Sequence, residues 1–503
     1  MKHTANILYR LFLSGTLLLF LLIGHANSQS KKSKPKPNII VLMADDMGYG
    51  DVGIYGSKKI PTPNMDQFAG EGMIFTDAHA PGPTCTPSRY AFLTGQYFWR
   101  SEKTSVGGFG YATPRIEQEI QTLPDFLRKH GYHNAIIGKW HLGLDWGLQK
   151  GASWAGNKGE YIDYHYPITD GPLQHGFDYF FGLPGSLDMP PYVFIENNRT
   201  VGIPSLEKEP KNTLQWHRGG LMVPGWKDED VGPVLTRKAV EFIRSHHKSQ
   251  SDRPFFLYFA ASAPHTPCVP PDFIKGKSLA GQRGDMVVEF DWSVGQIVTL
   301  LDELGIRNNT LVLVTSDNGA LTVGPPHWGT PLDKEKYDVN HHGHRPNGVL
   351  RGQKADVWEG ATRVPLLARW PGVVPHGSVN RDPVSLIDFY AGFAAILHDS
   401  APESAIDSYN IYEALIGGKM DSNRILVHHS ARGLFAIRQG SWKLINGRGS
   451  GGFTQPVEWI MQPGEPEGQL YNLDTDMSET KNLWSSHTEK VEMLLKLLND
   501  YKK

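Results

Sequence analysis

The chain has 503 residues, enough for a large core and for two packed parts. Its 50 basic and 52 acidic residues leave a net charge of −2, which points to neither nucleic acid nor a membrane surface as partner. Two cysteines, Cys85 and Cys268, exclude a disulfide-stapled scaffold.

Lys2 and Arg10 precede or open an apolar run over residues 11–23, and Ala26-Asn27-Ser28 fits a small-x-small cleavage site. This pattern predicts a signal peptide over 1–28 and export to the periplasm or the exterior. The run is short for a membrane span, so no stable membrane insertion is expected. Residues 29–37, rich in Lys and Pro, read as a basic tether. Residues 38–44 form an unbroken apolar run, the mark of a parallel strand buried on both faces, and it stops at Asp45-Asp46. Next comes Gly82-Pro-Thr-Cys85-Thr86-Pro87-Ser88-Arg89, followed by Leu93-Thr94-Gly95. Pro87 suits the first turn of a helix, whose free amides and dipole favour an anion beside residue 85.

A helix over 123–130 precedes a strand at 135–137, which leads into Gly138-Lys139-Trp140-His141. Residues 145–230 change texture: Gly, Pro and aromatics (Trp146, Trp154, Tyr161, Tyr164, Tyr166, then Leu187 to Tyr192) with little periodicity. They read as an insertion over the rim of a site, where substrate selection lies. A helix over 234–248 leads to a strand at 255–259 and then to His265. A helix over 287–304 leads to a strand at 311–316 that stops at Asp317-Asn318-Gly319. Beyond residue 400 short strands at 433–438, 442–445 and 469–474 precede a helix over about 487–502, an α+β unit.

Four buried strands that each deliver Asp, Asn, Lys or His at their carboxyl ends predict one assembled site, because open α/β sheets bind ligands there. The expected fold is therefore α/β: a large, mixed, mostly parallel sheet sandwiched by helices over 38–400, with a smaller antiparallel α+β subdomain over 401–503. Asp45, Asp46 and Asp317 supply carboxylates and Asn318 an amide oxygen, a set suited to Ca²⁺ or Mg²⁺ rather than zinc. Residue 85 would complete that set, and Arg89, one helical turn on, could reach both it and the carboxylates. Cys268 reads as a small buried apolar thiol.

The stretch Cys85-Thr-Pro-Ser-Arg89 with its trailing Leu93-Thr94-Gly95 resembles the signature of type I sulfatases of the alkaline phosphatase superfamily. Gly138-Lys139-Trp140-His141-Leu-Gly143 is similar to a second family motif, and Leu350-Arg-Gly-Gln-Lys354 through Gly360 to a third. His265, in Ala-Pro-His-Thr-Pro, matches the family's leaving-group histidine. The likeness runs from Asn38 to about Pro371 and resumes in Leu470-Tyr-Asn-Leu-Asp474 and Asn482-Leu483. It departs at Asp388-Phe-Tyr-Ala-Gly, where Pro-Thr more often follows the aromatic.

The resemblance implies that a maturation enzyme oxidises Cys85 to 3-oxoalanine (formylglycine), whose hydrate attacks the sulfur of a sulfate ester. It implies a divalent cation that polarises the ester, Lys139 and Lys354 on the sulfate oxygens, and His265 as proton donor to the leaving oxygen. His141 would take the proton of the second hydroxyl, expelling sulfate. Residues 183–193 and the run His342-Gly-His344-Arg345-Pro-Asn347 look like bacterial polysaccharide sulfatases, which implies a sulfated carbohydrate substrate contacted by His344 and Arg345. Glycosaminoglycan and aryl sulfates stay open as substrates. A phosphonate monoester hydrolase, or a non-catalytic glycan binder with Cys85 unconverted, are the alternatives.

Overall fold

The computed structural model describes residues 35–103, 109–153, 155–156, 158–211, 215–322, 341–421 and 424–503. The predicted signal peptide, most of the tether and Trp154 lie outside the described residues. Ten strands form the main sheet: β1 (Asn38–Ala44), β2 (Met73–Phe75), β3 (His133–Lys139), β4 (Tyr179–Leu183), β5 (Ile195–Glu196), β6 (Arg199–Thr200), β7 (Phe255–Ala260), β8 (Thr310–Ser316), β9 (Leu366–Arg369) and β10 (Ser378–Asn380). Their order is β10-β2-β9-β8-β1-β7-β3-β4-β5-β6. The five central strands, β8-β1-β7-β3-β4, run parallel, and antiparallel pairings begin at β9 on one side and β5 on the other.

Every residue of β1, β7 and β8 is buried, which explains why these strands read as unbroken apolar runs. Alternate residues serve two cores. Ile39, Val41 and Met43 face one side with Phe256, Tyr258, Leu311 and Leu313, while Ile40 and Leu42 face the other with Leu257, Phe259, Val312 and Val314. The first face packs on α2 (Cys85–Thr94), α3 (Leu123–Lys129) and α6 (Phe389–Ile396). The second packs on α1 (Pro63–Gly70), α4 (Val231–Ser249) and α5 (Gly281–Glu303).

Two predicted helices begin earlier than expected. The α4 helix opens at Val231, so Gly232 and Pro233 fall in its first turn, where a missing proline N–H costs nothing. The α5 helix opens at Gly281 and carries buried Arg283 and Asp285 in its first two turns. Segment 145–230 is not all rim either. Within it Tyr179–Leu183 joins the main sheet parallel to β3, and β5 and β6 extend that edge.

Past residue 400 a separate antiparallel sheet has the order β11 (Ile425–His429), β12 (Phe435–Gln439), β13 (Trp442–Ile445) and β14 (Gln469–Asn472). One face packs on Val491, Leu494 and Leu498 of α7 (Thr488–Tyr501), and the other on Val357 and Trp358. Buried charges tie this sheet to the main one. Arg438 forks onto Asp77, and Lys443 Nζ lies 3.0 Å from Glu359 Oε1 and 2.9 Å from Glu479 Oε1. His79, Glu359 and His428 bring metal-ligating atoms within 4.8 Å of one another there. Arg363, Arg438 and Lys443 pair with Asp77, Glu359 and Glu479 around this cluster. Among the described residues no helix is long and apolar enough to cross a membrane.

Glu289, in the middle of α5, lies against the Gly232 backbone with Oε2 unpartnered. Burial alone pushes its carboxyl up to about 8, from an ordinary value of 4.5. The unfolded chain ionises first, so this group lowers stability as pH rises from 4.5 towards 8. Glu289→Gln should therefore raise unfolding free energy by roughly 3 kcal/mol at pH 7 and leave it unchanged near pH 4. Denaturant melts at the two pH values check this, and an equal effect at both would contradict it.

Candidate active site

The register of the parallel strands brings the reactive groups to one edge. Ala44 pairs with Ser316, Met43 with Ala260, and Ala260 with Gly138. Asp45, Asp317 and Lys139 thus emerge side by side at the carboxyl end of the sheet. Gly138 is required there: its φ is +122°, and a Cβ would lie 1.8 Å from the Ala260 carbonyl oxygen.

Helix α2 explains each residue of the Cys85 motif. Thr84 is extended and Cys85 is the first helical residue, so the free amides of the first turn surround it. Ser88 Oγ donates to the Gly82 carbonyl and accepts from its N–H, fixing the loop ahead of the helix. Arg89 Nε and one terminal nitrogen fork onto Asp317 Oδ2 at 3.0 and 2.8 Å. Gly95, at φ +72°, closes the helix in the left-handed conformation, so the trailing Leu93-Thr94-Gly95 is a structural stop.

Around Cys85 the side chains converge. Its Sγ lies 3.3 Å from Asp45 Oδ1 and 3.4 Å from Lys354 Nζ. Lys139 Nζ reaches both Asp45 oxygens at 2.9 Å, and Lys354 Nζ sits 2.8 Å from Asp46. Asn318 Nδ2 donates to Asp46 Oδ1 at 2.6 Å, while Asn318 Oδ1 is buried without a partner. His265 Nε2 lies 3.6 Å from Asp46 Oδ2; its Nδ1 donates to the Thr266 carbonyl at 2.7 Å. The Thr86 hydroxyl, next to Cys85, donates to the backbone carbonyl of His141, whose φ is +56° and whose Nδ1 is unpartnered. The structure therefore brings Asp45, Asp46, Cys85, Arg89, Lys139, His141, His265, Asp317, Asn318 and Lys354 into one buried pocket.

Electrostatics follow from burial and pairing. Burial opposes ionisation of Asp45 and Asp46, yet Lys139 and Lys354 respectively, helped by His265, hold both carboxyls below their ordinary values. Asp317 is pushed up by burial, and by Asp45 and Asp46, despite Arg89. Burial and Lys139 push His141 well below its usual value, which favours its neutral form. Burial, Asp317 and Asp45 push the Cys85 thiol well above its usual value, which makes it a hydrogen-bond donor to Asp45 and not a thiolate.

The two expected sugar contacts differ in their surroundings. His344 is turned inward, with Nε2 2.8 Å from Asp51 Oδ1, whereas Arg345 is exposed. Cys268 is a buried thiol pushed up to about 11 by burial. Sequence reading passed over Asp188, which is buried with Oδ1 unpartnered and 3.6 Å from His265 Nδ1. It lies in the irregular stretch after β4, where nothing but packing reveals its burial. Tyr258, on β7, is also new: its hydroxyl accepts from Arg89 at 3.4 Å.

A mostly parallel sheet with carboxylates, lysines and a helix-capped residue 85 at its carboxyl edge defines an alkaline-phosphatase-like hydrolase. The sulfatase family model matches residues 37–399. The chain is 34% identical to N-acetylgalactosamine-6-O-sulfatase of Bacteroides thetaiotaomicron over the full length of both. It is 32% identical to mouse N-acetylgalactosamine-6-sulfatase, covering 81% of this chain and 71% of that one. A solved structure from work on glycosaminoglycan metabolism by Bacteroides thetaiotaomicron superposes with a TM-score of 0.80 at 32% identity, covering 93% of this chain and 100% of that one. The chain belongs to the sulfatase family, and its activity is that of a sulfatase.

Arg89→Leu leaves Asp317 buried beside two other carboxylates and should cost about 3–5 kcal/mol in chelator-treated protein, measured by denaturant unfolding. A loss under about 1 kcal/mol would mean that Asp317 carries a proton and Arg89 pairs with no charge.

Proposed function

We propose that the protein removes sulfate from a sulfated carbohydrate, with N-acetylgalactosamine 6-sulfate units of a glycosaminoglycan as first candidate. The observation that carries the chemistry is the placement of Cys85 as the first residue of a helix, with Sγ 3.3 Å from Asp45 Oδ1 and 3.4 Å from Lys354 Nζ. As a thiol it is a poor nucleophile. Oxidised to formylglycine and hydrated, residue 85 would offer two hydroxyls on one carbon. The substrate class rests on the 6-sulfatase relatives and on the family motifs this chain shares with them.

Asp45, Asp46, Asp317 and Asn318 fit a hard cation, since they provide three carboxylates and one amide oxygen that has no other partner, and ligating atoms of Asp45, Asp46, Cys85 and His265 lie within 4.8 Å of one another. When bound, Ca²⁺ or Mg²⁺ would polarise the sulfate group and lower the pKa of a coordinated hydroxyl. The chain's own residues do the rest. Lys139 and Lys354 compensate the charge that develops on the sulfate oxygens. His265, anchored through Nδ1, presents Nε2 to the leaving oxygen and carries its proton. His141, held neutral, accepts the proton of the second hydroxyl as sulfate departs. Arg89 keeps Asp317 in place and residue 85 near it. Asp188 borders His265 on the side away from Asp46.

The maturation enzyme that oxidises Cys85 is the expected protein partner. Export is supported by Lys2, Arg10 and the apolar run over 11–23.

Peptide mass spectrometry across Cys85, on protein made with an active maturation system, should find the aldehyde or its hydrate. An unmodified thiol on an enzyme that still cleaves sulfate esters would overturn the mechanism. Cys85→Ala should keep the fold and abolish turnover. On a panel of sulfated sugars, cleavage of the 6-sulfate of N-acetylgalactosamine is expected, and a preference for another sulfate position would redirect the substrate assignment. His265→Ala should slow alkyl sulfates by about 10²–10⁴-fold and activated aryl sulfates far less. Equal losses on both would remove His265 from the proton-donor role.

A further inference from the structure

Behind the carboxylates lies a second buried cluster that the chemistry above does not use. Asp46 adopts a left-handed backbone, φ +67°, a conformation that a non-glycine residue keeps only when its surroundings hold it. Three contacts do so. The Asp46 N–H donates to Asp317 Oδ1 at 3.1 Å, Met47 N–H donates to Ser316 Oγ at 2.8 Å, and one Arg283 guanidinium nitrogen donates to the Asp46 carbonyl at 2.8 Å. The first two come from the neighbouring strand end. The third comes from the first turn of α5, on the far side of the turn.

Arg283 is itself fixed. Its two terminal nitrogens fork onto Asp51 at 2.9 and 2.7 Å, and the remaining Asp51 capacity is filled by His344 Nε2 at 2.8 Å and Gly48 N–H at 2.7 Å. Asp51 is wholly buried, and Arg283 and His344 are each 6% exposed. Burial opposes Asp51 ionisation, but Arg283 and His344 hold its carboxyl below its ordinary value. The backbones close in the same way. Gly50 N–H donates to the Pro346 carbonyl at 2.6 Å, and a Cβ at Gly48 would lie 2.2 Å from that oxygen. Asn347 continues the seam, since its amide accepts from Ala320 N–H, and Lys354 N–H donates to the Ala320 carbonyl.

We propose that Asp51, Arg283 and His344 form a buried clamp that holds Asp46 in its left-handed turn and sets the cation affinity of the site. The three are positioning residues: Arg283, forked onto Asp51, meets Asp46 through its backbone carbonyl and not its carboxylate, and His344 acts through Asp51. The clamp ties three separate segments to one another, the turn after β1, the start of α5, and the loop that leads to Lys354. It also gives His344 a role away from the sugar. The proposal rests on the reading of Asp46 as a cation ligand.

The test uses chelator-stripped full-length protein and calorimetric titration with Ca²⁺, with circular dichroism to confirm folding. His344→Leu removes the donor to Asp51 at similar volume, and His344→Gln keeps an N–H where Nε2 lies. Arg283→Lys keeps a charge but cannot fork onto Asp51 and reach the Asp46 carbonyl together. Weakening of Ca²⁺ binding by about tenfold or more is expected for His344→Leu and Arg283→Lys, with His344→Gln close to wild type. If Arg283→Lys does not fold, the two His344 variants decide. Equal Ca²⁺ affinity in wild type and His344→Leu overturns the clamp. So does a raised KM for substrate with unchanged Ca²⁺ affinity, which would return His344 to the sugar. Wild-type protein that takes up neither Ca²⁺ nor Mg²⁺ overturns the cation reading itself, and the clamp with it.

Discussion

Asp45, Asp46 and Asp317 are all withdrawn from water at the end of the central sheet. Removing a carboxylate from water costs several kcal/mol unless a partner compensates it. Among the described residues Lys139, Lys354 and Arg89 are those partners, one cation for each carboxylate. His265, 3.6 Å from Asp46, adds to them, and the rest of the architecture serves to hold these groups together. The parallel register sets Asp45 beside Asp317, α2 delivers Arg89 between them, and the segment after β8 returns to place Lys354 on Asp46. Breaking any one of these pairs would leave a buried charge uncompensated, which is the costly case.

The same arithmetic separates this pocket from the cluster of His79, Glu359 and His428. There too carboxylates and cations match, but Arg363, Arg438 and Lys443 are locked between the two sheets and no buried amide oxygen is left over. His428, stacked on His79 at 5.0 Å, is held well below its usual value by burial and by His79. This second lattice joins the C-terminal sheet to the main one.

Much of this was legible in the sequence, and for physical reasons. Strands buried on both faces must be apolar throughout, so β1, β7 and β8 stood out together with the residues that follow them. The Cys85 motif was readable because each of its positions has a fixed geometric duty, from the helix start to the left-handed Gly95. Tyr179–Leu183 was harder, since a five-residue apolar strand among Gly, Pro and aromatics has the same texture as a loop. Asp51, Arg283 and His344 could not be paired at all: 232 and 293 positions separate Asp51 from its partners. Burial of a polar residue by such distant neighbours leaves no periodic trace, and for that reason His344 was read only as a sugar contact.

The placement of β1 has a consequence for how the chain reaches this state. It is the first strand of the sheet in sequence, yet its hydrogen-bonding partners are residues 256–260 on one edge and 310–316 on the other. Both of its edges therefore stay unpaired until residues 256–260 and 310–316 have followed. Closing such long loops is slow, and a fully apolar strand with two open edges is the element most prone to pair with another chain meanwhile. The strand that delivers Asp45 and Asp46 therefore completes its pairing only once β7 and β8 are in place.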